Sequence, residues 1–261
     1  MTPYKTALIT GASSGLGRAL AEALAGPGVT LHLGGRDLPR LEAAAAAVRA
    51  KGATALPHAL DVTNAPATRA WIEQAGPLAL VIANAGISGG TGQGQSETER
   101  QTRAIFAANL DGALNTILPA LDVMATQSPG PDGRRGTIAA VASIAGFLPT
   151  PGAPAYGASK AALDAWTLAS APAAQARGIH LVSICPGFVR TPMTAANPYK
   201  MPGLMDAEPA AAIILRGLAQ DRLRIVFPWW MGVLARSIAL LPNAVRLMSR
   251  AGSKPVLPDH P

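Results

Sequence analysis

Residues 4–25, YKTALITGASSGLGRALAEALA, combine a short apolar segment, a glycine-rich turn and an alanine- and leucine-rich segment. They predict a strand over Tyr4–Thr10, a turn over Gly11–Gly17 and a helix over Arg18–Ala25. Glycines let the backbone approach a phosphate closely, and a helix N-terminus offers free N–H groups and a positive dipole end. In this strand–turn–helix context the glycines predict dinucleotide binding, although an ordinary tight turn between a strand and a helix would use them too.

Strands and helices continue to alternate after this unit. Leu78–Ala83, LALVIA, is apolar throughout, as is typical of a strand buried on both faces of a parallel sheet. Further strands are predicted at Val29–Gly34, Ala53–Ala59, Arg134–Ala142, Gly178–Ile184 and Leu223–Phe227, and the main helices at Leu38–Ala50, Asn64–Gln74, Glu97–Asn109, Leu110–Gln127, Ala153–Ala176 and Ala207–Ala219. This order predicts an α/β fold: a Rossmann-type, doubly wound parallel sheet of about seven strands with helices on both faces.

The chain has 261 residues and no proline- or serine-rich linker, which favours one domain over residues 1–227 with an extension at 228–261. Lys and Arg exceed Asp and Glu by 7, and most of this excess lies beyond residue 221. No nucleic-acid-binding motif accompanies the basic tail, so we expect no nucleic-acid partner.

The cysteine and histidine residues limit which disulfides and metal sites are expected. The single cysteine, Cys185, excludes an intramolecular disulfide and, with no signal-peptide pattern, favours a cytoplasmic location. The four histidines have no metal-ligand spacing, so no metal site is predicted.

The second predicted strand ends in Gly35-Arg36-Asp37, where a dinucleotide fold meets the adenosine ribose. Asp37 is well placed to cap the helix that follows, which leaves Arg36 for a ribose 2′-phosphate. This favours NADP over NAD, unless Arg36 is only a solvated loop charge.

A second informative stretch is residues 143–160, SIAGFLPTPGAPAYGASK. Tyr156 and Lys160 are four residues apart, so on a helix they share one face, and Ser143 follows a predicted strand. A hydroxyl, a phenol and an ammonium that converge can move a proton on or off an oxygen beside a hydride transfer. The alternative is a surface tyrosine and lysine on an amphipathic helix.

Six motifs in order resemble those of the short-chain dehydrogenase/reductase family, and the resemblance runs from about Thr6 to Thr191. They are Thr10-Gly11-x-x-x-Gly15-x-Gly17, Asp61-Val62, Asn84-Ala85-Gly86, Asn109-Leu110-x-Gly112, Ser143 with Tyr156-x-x-x-Lys160, and Pro186-Gly187 with Thr191. Ala142 stands where the family often has a serine, and it touches no expected role.

The resemblance implies a catalytic group of Asn109, Ser143, Tyr156 and Lys160. Tyr156 would be the general acid/base, with its pKa lowered by the Lys160 ammonium. Ser143 would donate to the substrate oxygen, and Asn109 would hold a water that links Lys160 to solvent. It also implies a homodimer or homotetramer formed through residues 109–127 and 153–176.

The same resemblance places the cofactor along the carboxyl ends of the strands. The residues that it implies for cofactor binding are Gly11, Ser13, Ser14, Gly15, Leu16, Gly17, Arg36, Asp61, Val62, Asn84, Ala85, Gly86, Tyr156, Lys160, Pro186, Gly187, Val189 and Thr191.

Substrate specificity is expected in residues 188–209, where the family has its substrate lid. This segment is rich in methionine, which adapts to apolar ligands. An apolar ketone or alcohol is therefore expected, although these methionines would also serve to pack the lid. Ser143, Phe147, Tyr156 and Met193 are the expected substrate contacts.

Residues 228–250, PWWMGVLARSIALLPNAVRLMSR, mix tryptophan, aliphatic and arginine side chains, and Pro242 is expected to divide them into two short helices. This composition is typical of a helix at a membrane surface. A segment that covers the pocket or forms a subunit interface would look similar.

The leading hypothesis is an NADP-dependent carbonyl reductase or alcohol dehydrogenase with a small-molecule substrate. The alternatives are an NAD-dependent alcohol dehydrogenase and a catalytically silent dinucleotide-binding protein at a membrane surface.

Overall fold

The computed structural model describes residues 4–89, 96–195, 197 and 200–241. In these residues seven parallel strands form one sheet in the order β3-β2-β1-β4-β5-β6-β7. The strands are β1 Thr6–Thr10, β2 Thr30–Gly35, β3 Thr54–Ala59, β4 Leu80–Ala83, β5 Gly136–Val141, β6 Ile179–Pro186 and β7 Arg224–Phe227. This confirms the predicted doubly wound sheet, whose order reverses at the β1–β4 pair.

Helices cover both faces of the sheet. They are α1 Gly15–Leu24, α2 Leu38–Arg49, α3 Ala65–Gln74, α4 Glu99–Phe106, α5 Gly112–Thr126, α6 Pro154–Ala176, α7 Pro192–Ala195, α8 Ala207–Ala219 and α9 Trp229–Ala239. A π-helical turn, Ala107–Asp111, joins α4 to α5, and a 3₁₀ turn, Ile144–Phe147, follows β5.

The apolar strand β4 shows why both faces are buried. Leu80 and Ile82 pack with the residues of α1 and α8, whereas Val81 and Ala83 pack with α3, α5 and α6. Successive side chains of a strand point to opposite faces, so a continuous apolar run fits a sheet covered on both sides.

Two boundaries differ from the predictions in ways that matter for the site. Helix α1 begins at Gly15 rather than Arg18, because Ser14 is extended and ends the turn early. Strand β6 runs on to Pro186 rather than ending at Ile184, because Ser183–Pro186 pair with β7. The predicted helix break at Pro242 lies outside the described residues.

Residues 99–126 are long and apolar enough by composition to span a membrane, but half of their most apolar window is buried inside the protein. Ile117 and Ala120 of this segment pack in the core below the sheet. A core helix of this kind passes the same length and hydropathy test as a membrane span.

Candidate active site

A cleft of about 1320 Å³ opens at the carboxyl ends of the strands. Its walls come from the loops after β1 to β6, and it includes the β1–β4 point where the strand order reverses. This is where doubly wound sheets bind their ligands. The predicted site residues that line it are Gly11, Ser13, Ser14, Gly15, Leu16, Arg36, Asp61, Val62, Asn84, Ala85, Gly86, Ser143, Tyr156, Lys160, Pro186, Gly187, Val189, Thr191 and Met193.

The glycine-rich turn depends on very close backbone packing. Gly11 and Gly15 have φ angles of +67° and +53°, a region that favours glycine. A Cβ on Gly17 would lie 2.3 Å from the carbonyl oxygen of Gly11. Gly17 itself is buried beneath the turn and does not line the cleft, so it shapes the predicted cofactor loop from behind.

The side chain of Asn84 braces the same turn. Its Nδ2 donates hydrogen bonds to the carbonyl oxygens of Thr10, over 3.0 Å, and Gly11, over 3.2 Å. Thr10 Oγ1 in turn accepts from the backbone N–H groups of Asn84 and Ala85. Asn84 therefore lines the cleft and also holds the glycine-rich turn in place. The motif alone does not indicate this second role.

The start of α1 is the part of the cleft that fits a phosphate. Ser13, Ser14, Gly15 and Leu16 line it, and Ser14 makes no side-chain hydrogen bond that caps the helix. The first N–H groups of α1 have no partner within the helix, and the helix dipole favours an anion there. These residues fit a dinucleotide pyrophosphate.

Asp37 and Arg36 are neighbours in the loop after β2, but only Asp37 is taken up by contacts with α2, as predicted. Asp37 Oδ1 accepts from the N–H of Arg40 over 3.0 Å and caps α2, and Asp37 Oδ2 lies 3.2 Å from Nε of Arg40. Arg36 is exposed and forms no ion pair with any residue in the described part of the chain. Arg40, which the sequence reasoning missed, also lines the cleft; its position in the helical turn directly after Arg36 was the available signal.

Asp61 faces Arg36 across this end of the cleft. Burial alone would raise the pKa of Asp61, but hydrogen bonds from the N–H and hydroxyl of Thr63 and the charge of Arg36 outweigh it, and the pKa is lowered. Arg36 therefore lies close enough to Asp61 for its positive charge to lower the pKa of the Asp61 carboxyl.

Asn109 is fully buried in the π-helical turn, at the point where the sequence predicts one helix to end and the next to begin. Its Oδ1 accepts from the N–H of Ile87 over 2.7 Å, and its Nδ2 donates to the carbonyl oxygen of Ile87 and to Ser159 Oγ. The amide ties the loop after β4 to helix α6. The water that Asn109 is expected to hold stays a prediction.

Gly86 lets Asn109 and Lys160 come together. A Cβ on Gly86 would lie 2.9 Å from Asn109 Oδ1 and 3.5 Å from Lys160 Nζ. Any larger residue at this position would push between the two side chains.

Lys160 and Tyr156 share one face of α6, as their spacing predicts. Lys160 Nζ lies 5.9 Å from the centre of the Tyr156 ring and donates a hydrogen bond of 2.7 Å to the carbonyl oxygen of Val141. Burial lowers the pKa of Lys160 to about 8. The ammonium is therefore held between the end of β5 and the tyrosine ring.

Ser143 reaches the same part of the cleft from the end of β5. Its Oγ accepts from the N–H of Ala145 over 3.1 Å and makes a long contact of 3.5 Å to the carbonyl oxygen of Pro186. The first contact caps the 3₁₀ turn Ile144–Phe147 and fixes the hydroxyl at the cleft wall.

Glu97 is a second residue that the sequence reasoning missed. Its Oε2 accepts from the N–H of Ala155 over 2.9 Å, in the first turn of α6 and next to Tyr156. The carboxylate therefore caps the helix that carries Tyr156 and Lys160. Because the two residues are 58 positions apart, no local pattern indicates this contact.

The segment after β6 closes the other end of the cleft. The N–H of Gly187 donates to the carbonyl oxygen of Phe227 over 2.7 Å, and Val189 forms a β-bridge with Met205. Thr191 packs on the glycine turn: a Cβ on Gly15 would lie 2.8 Å from Thr191 Cγ2. The motif at 186–191 and the glycine-rich turn are thus direct neighbours.

The two expected substrate contacts outside the catalytic group differ in position. Met193 lines the cleft and is exposed. Phe147 does not line it: the centre of its ring lies 4.5 Å from Cζ of Arg236 and 5.5 Å from Cζ of Arg224. The 3₁₀ turn points Phe147 towards α9, so its expected place in the pocket is not what the structure has.

The family model for short chain dehydrogenases matches residues 5–201 of this chain. The chain belongs to the short-chain dehydrogenase family. It is an NAD(P)-dependent oxidoreductase of that family, as the motifs predicted.

Two curated relatives are similar to this short-chain dehydrogenase over most of its length. A Myxococcus xanthus protein named as an uncharacterized oxidoreductase is 40% identical over 244 residues, which is 92% of this chain and 94% of that protein. A Drosophila melanogaster 3-hydroxyacyl-CoA dehydrogenase type-2 is 33% identical over 210 residues, which is 77% of this chain and 81% of that protein.

One solved structure has the same fold over nearly the whole length of both chains. The short-chain dehydrogenase from Sphingobium yanoikuyae in complex with NADPH superposes with a TM-score of 0.78 at 26% identity, covering 95% of this chain and 97% of that one.

Proposed function

We propose that this short-chain dehydrogenase is an NADP-dependent carbonyl reductase or alcohol dehydrogenase that acts on an apolar ketone or secondary alcohol. One observation carries the proposal: Ser143, Tyr156 and Lys160 reach one wall of the cleft whose other walls include the glycine-rich turn and the start of α1. A bound nicotinamide supplies or accepts the hydride. The residues of this chain bind and orient the reactants and move the proton.

Tyr156 is the proposed general acid/base. The Lys160 ammonium lies one helical turn away, 5.9 Å from the centre of the Tyr156 ring, and a nearby positive charge favours a phenolate over a phenol. Because the ammonium is buried and held by Val141, its charge is screened less by water than that of a surface lysine. Ser143 Oγ donates to the substrate oxygen and stabilises the negative charge that develops there.

Arg36 supports the choice of NADP. It is an exposed cation at the ribose end of the cleft that pairs with no acid among the described residues, whereas Arg40 pairs with Asp37, whose carboxylate also caps α2. A free carboxylate at this place would favour the unphosphorylated ribose of NAD, whereas an arginine suits the 2′-phosphate. The NADPH in the Sphingobium yanoikuyae structure agrees with this proposal.

The substrate end of the cleft supports an apolar ligand. Met193, Ile87 and Val141 line the cleft with Ala142 and Pro186, and these side chains bear no charge. The proposed catalytic hydroxyls of Ser143 and Tyr156 line the same cleft, which suits a substrate with an apolar body and a reacting oxygen.

Self-association is proposed through α5 and α6. Leu118 is an exposed leucine on α5, a helix whose other face packs into the core. Light scattering of the purified protein gives the mass directly, and a monomer at micromolar concentration would contradict this proposal.

A fluorescence titration with NADPH and NADH, followed by a panel of ketones and alcohols monitored at the nicotinamide absorbance, tests the proposed function. We expect tighter binding of NADPH and NADPH-dependent reduction of an apolar ketone. Preferred turnover with NADH would favour the NAD-dependent alcohol dehydrogenase. Cofactor binding without any turnover would favour a silent binding protein.

A further inference from the structure

Helix α9 has two chemically different faces. Gly232 and Ala235 are buried against β7 and the 3₁₀ turn after Ser143, and Arg236 lies over the Phe147 ring. The exposed apolar residues of α9 and of the two residues after it are Trp229, Trp230, Val233, Leu234, Leu240 and Leu241. We call these six residues the α9 patch.

The exposure of the α9 patch is large for such side chains. Trp229 is 73% exposed and Leu240 is 88% exposed, although full burial of a leucine contributes roughly 1.5–3 kcal/mol. Contiguous apolar surface of this kind marks a site of contact with another molecule or a membrane.

The chain segment that contains the α9 patch carries charge of one sign. Residues 222–241 contain Arg222, Arg224 and Arg236 and no acidic residue. Arg224 is neutralised by Asp164, but Arg222 and Arg236 are exposed and pair with no acid among the described residues. The sequence beyond residue 241 adds Arg246, Arg250 and Lys254 against Asp259 alone.

The α9 patch also adjoins the substrate side of the cleft. A Cβ on Gly203, within the expected lid, would lie 3.2 Å from Trp230 Cζ2, and one on Gly187 would lie 3.2 Å from Met231 Sδ. Helix α9 therefore begins at the same edge of the sheet as the cleft.

We propose that the α9 patch docks this enzyme on a membrane that contains anionic lipid. Tryptophan at the headgroup level, aliphatic side chains below it and arginines at the anionic surface are the features that hold a helix in a membrane interface. A two-fold contact between two copies is less favoured, because it would set each patch and its arginines against the same positive charges. Docking would bring the expected lid next to the bilayer, but it does not depend on the proposed reaction.

Flotation of the purified full-length protein with vesicles tests the docking. Vesicles of equal parts phosphatidylcholine and phosphatidylglycerol are compared with phosphatidylcholine alone, at low and high salt. We expect the protein to float with the anionic vesicles at low salt and to be released at high salt, where surface charges are screened. A protein that stays in the soluble fraction, or binds neutral vesicles equally well, overturns the proposal.

The double variant Trp229→Ser, Leu234→Ser assigns the binding to α9. Leu56→Ser is the matched control, because Leu56 is 44% exposed at the opposite edge of the sheet and Leu234 is 50% exposed. Removing two apolar anchors should lower the partition coefficient at least about tenfold, whereas the control should bind as the wild type does. Equal binding of the double variant, or a fall in its oligomer mass by light scattering, would overturn the proposal, the latter by identifying a subunit contact.

Discussion

Lys160 Nζ donates a hydrogen bond to the carbonyl oxygen of Val141 over 2.7 Å, although the lysine side chain is almost completely buried. The contact joins the first turns of α6 to the last residue of β5, two residues before Ser143. It fixes the ammonium close to Tyr156, but it does so at a cost in desolvation.

That cost predicts a pH-dependent stability. Burial lowers the pKa of Lys160 from 10.5 to about 8, so the unfolded chain binds more protons than the folded protein between these values. Stability must therefore rise with pH across this window, and the cost of burying the charge is present in full below it.

We expect Lys160→Met to remove this dependence. In chemical denaturation without cofactor, the free energy of unfolding of the variant relative to wild type should fall by about 3 kcal/mol as the pH rises from 8 to 10.5. A difference that does not change over this range would show that Lys160 keeps an ordinary pKa.

Tyr156→Phe should abolish turnover and leave the cofactor bound. The ring remains in place over Lys160, but the group that exchanges the proton is gone, so we expect a loss of at least about 100-fold in kcat. Steady-state kinetics and NADPH fluorescence measure the two effects separately. Undiminished turnover in this variant would refute the proposed mechanism.

Arg36→Ala should weaken NADPH much more than NADH. Loss of one charge-assisted contact to the 2′-phosphate predicts a rise in Kd for NADPH of roughly 10-fold or more, with little change for NADH. Arg103→Ala is the control, because Arg103 is an exposed arginine on α4 that pairs with Glu99 and does not line the cleft. Equal losses for the two cofactors would contradict the assignment of Arg36.

Gly17→Ala should destabilise the protein by about 1–3 kcal/mol, because the added Cβ would lie 2.3 Å from the Gly11 carbonyl oxygen and 2.5 Å from Asn84 Nδ2. Gly26→Ala is a sharp control, since a Cβ there has no atom within 4 Å among the described residues. Thermal unfolding compares the two variants. If Gly17→Ala is as stable as Gly26→Ala, the turn is looser than the structure has it.

Glu97→Ala should lower both stability and kcat. The variant loses the acceptor for the Ala155 N–H at the start of α6, and loss of such a cap costs about 1 kcal/mol. Glu97→Gln keeps an acceptor oxygen and should restore most of both quantities. If alanine and glutamine behave alike, Glu97 does not act through this hydrogen bond.

Local patterns determined a large part of this protein. The parallel, doubly wound sheet followed from the alternation of apolar runs with helices, since parallel strands need a crossover of this length. Three further features each depend on a single element or turn. They are the glycines of the first turn, the Asp37 cap and the four-residue spacing of Tyr156 and Lys160. The sequence therefore predicted the sheet and most of the named residues that meet at its carboxyl edge, although Arg40 was missed.

Contacts between distant segments were decided only by the tertiary structure. Asn84 holds the turn at Gly11 across 73 positions, and Glu97 caps α6 across 58. Phe147 points to α9 rather than into the cleft, and its ring contacts Arg236 of α9 and Arg224 of β7. A sequence pattern has the period of its own helix or strand and carries no information on which other segment lies opposite, so long-range packing assigns these roles.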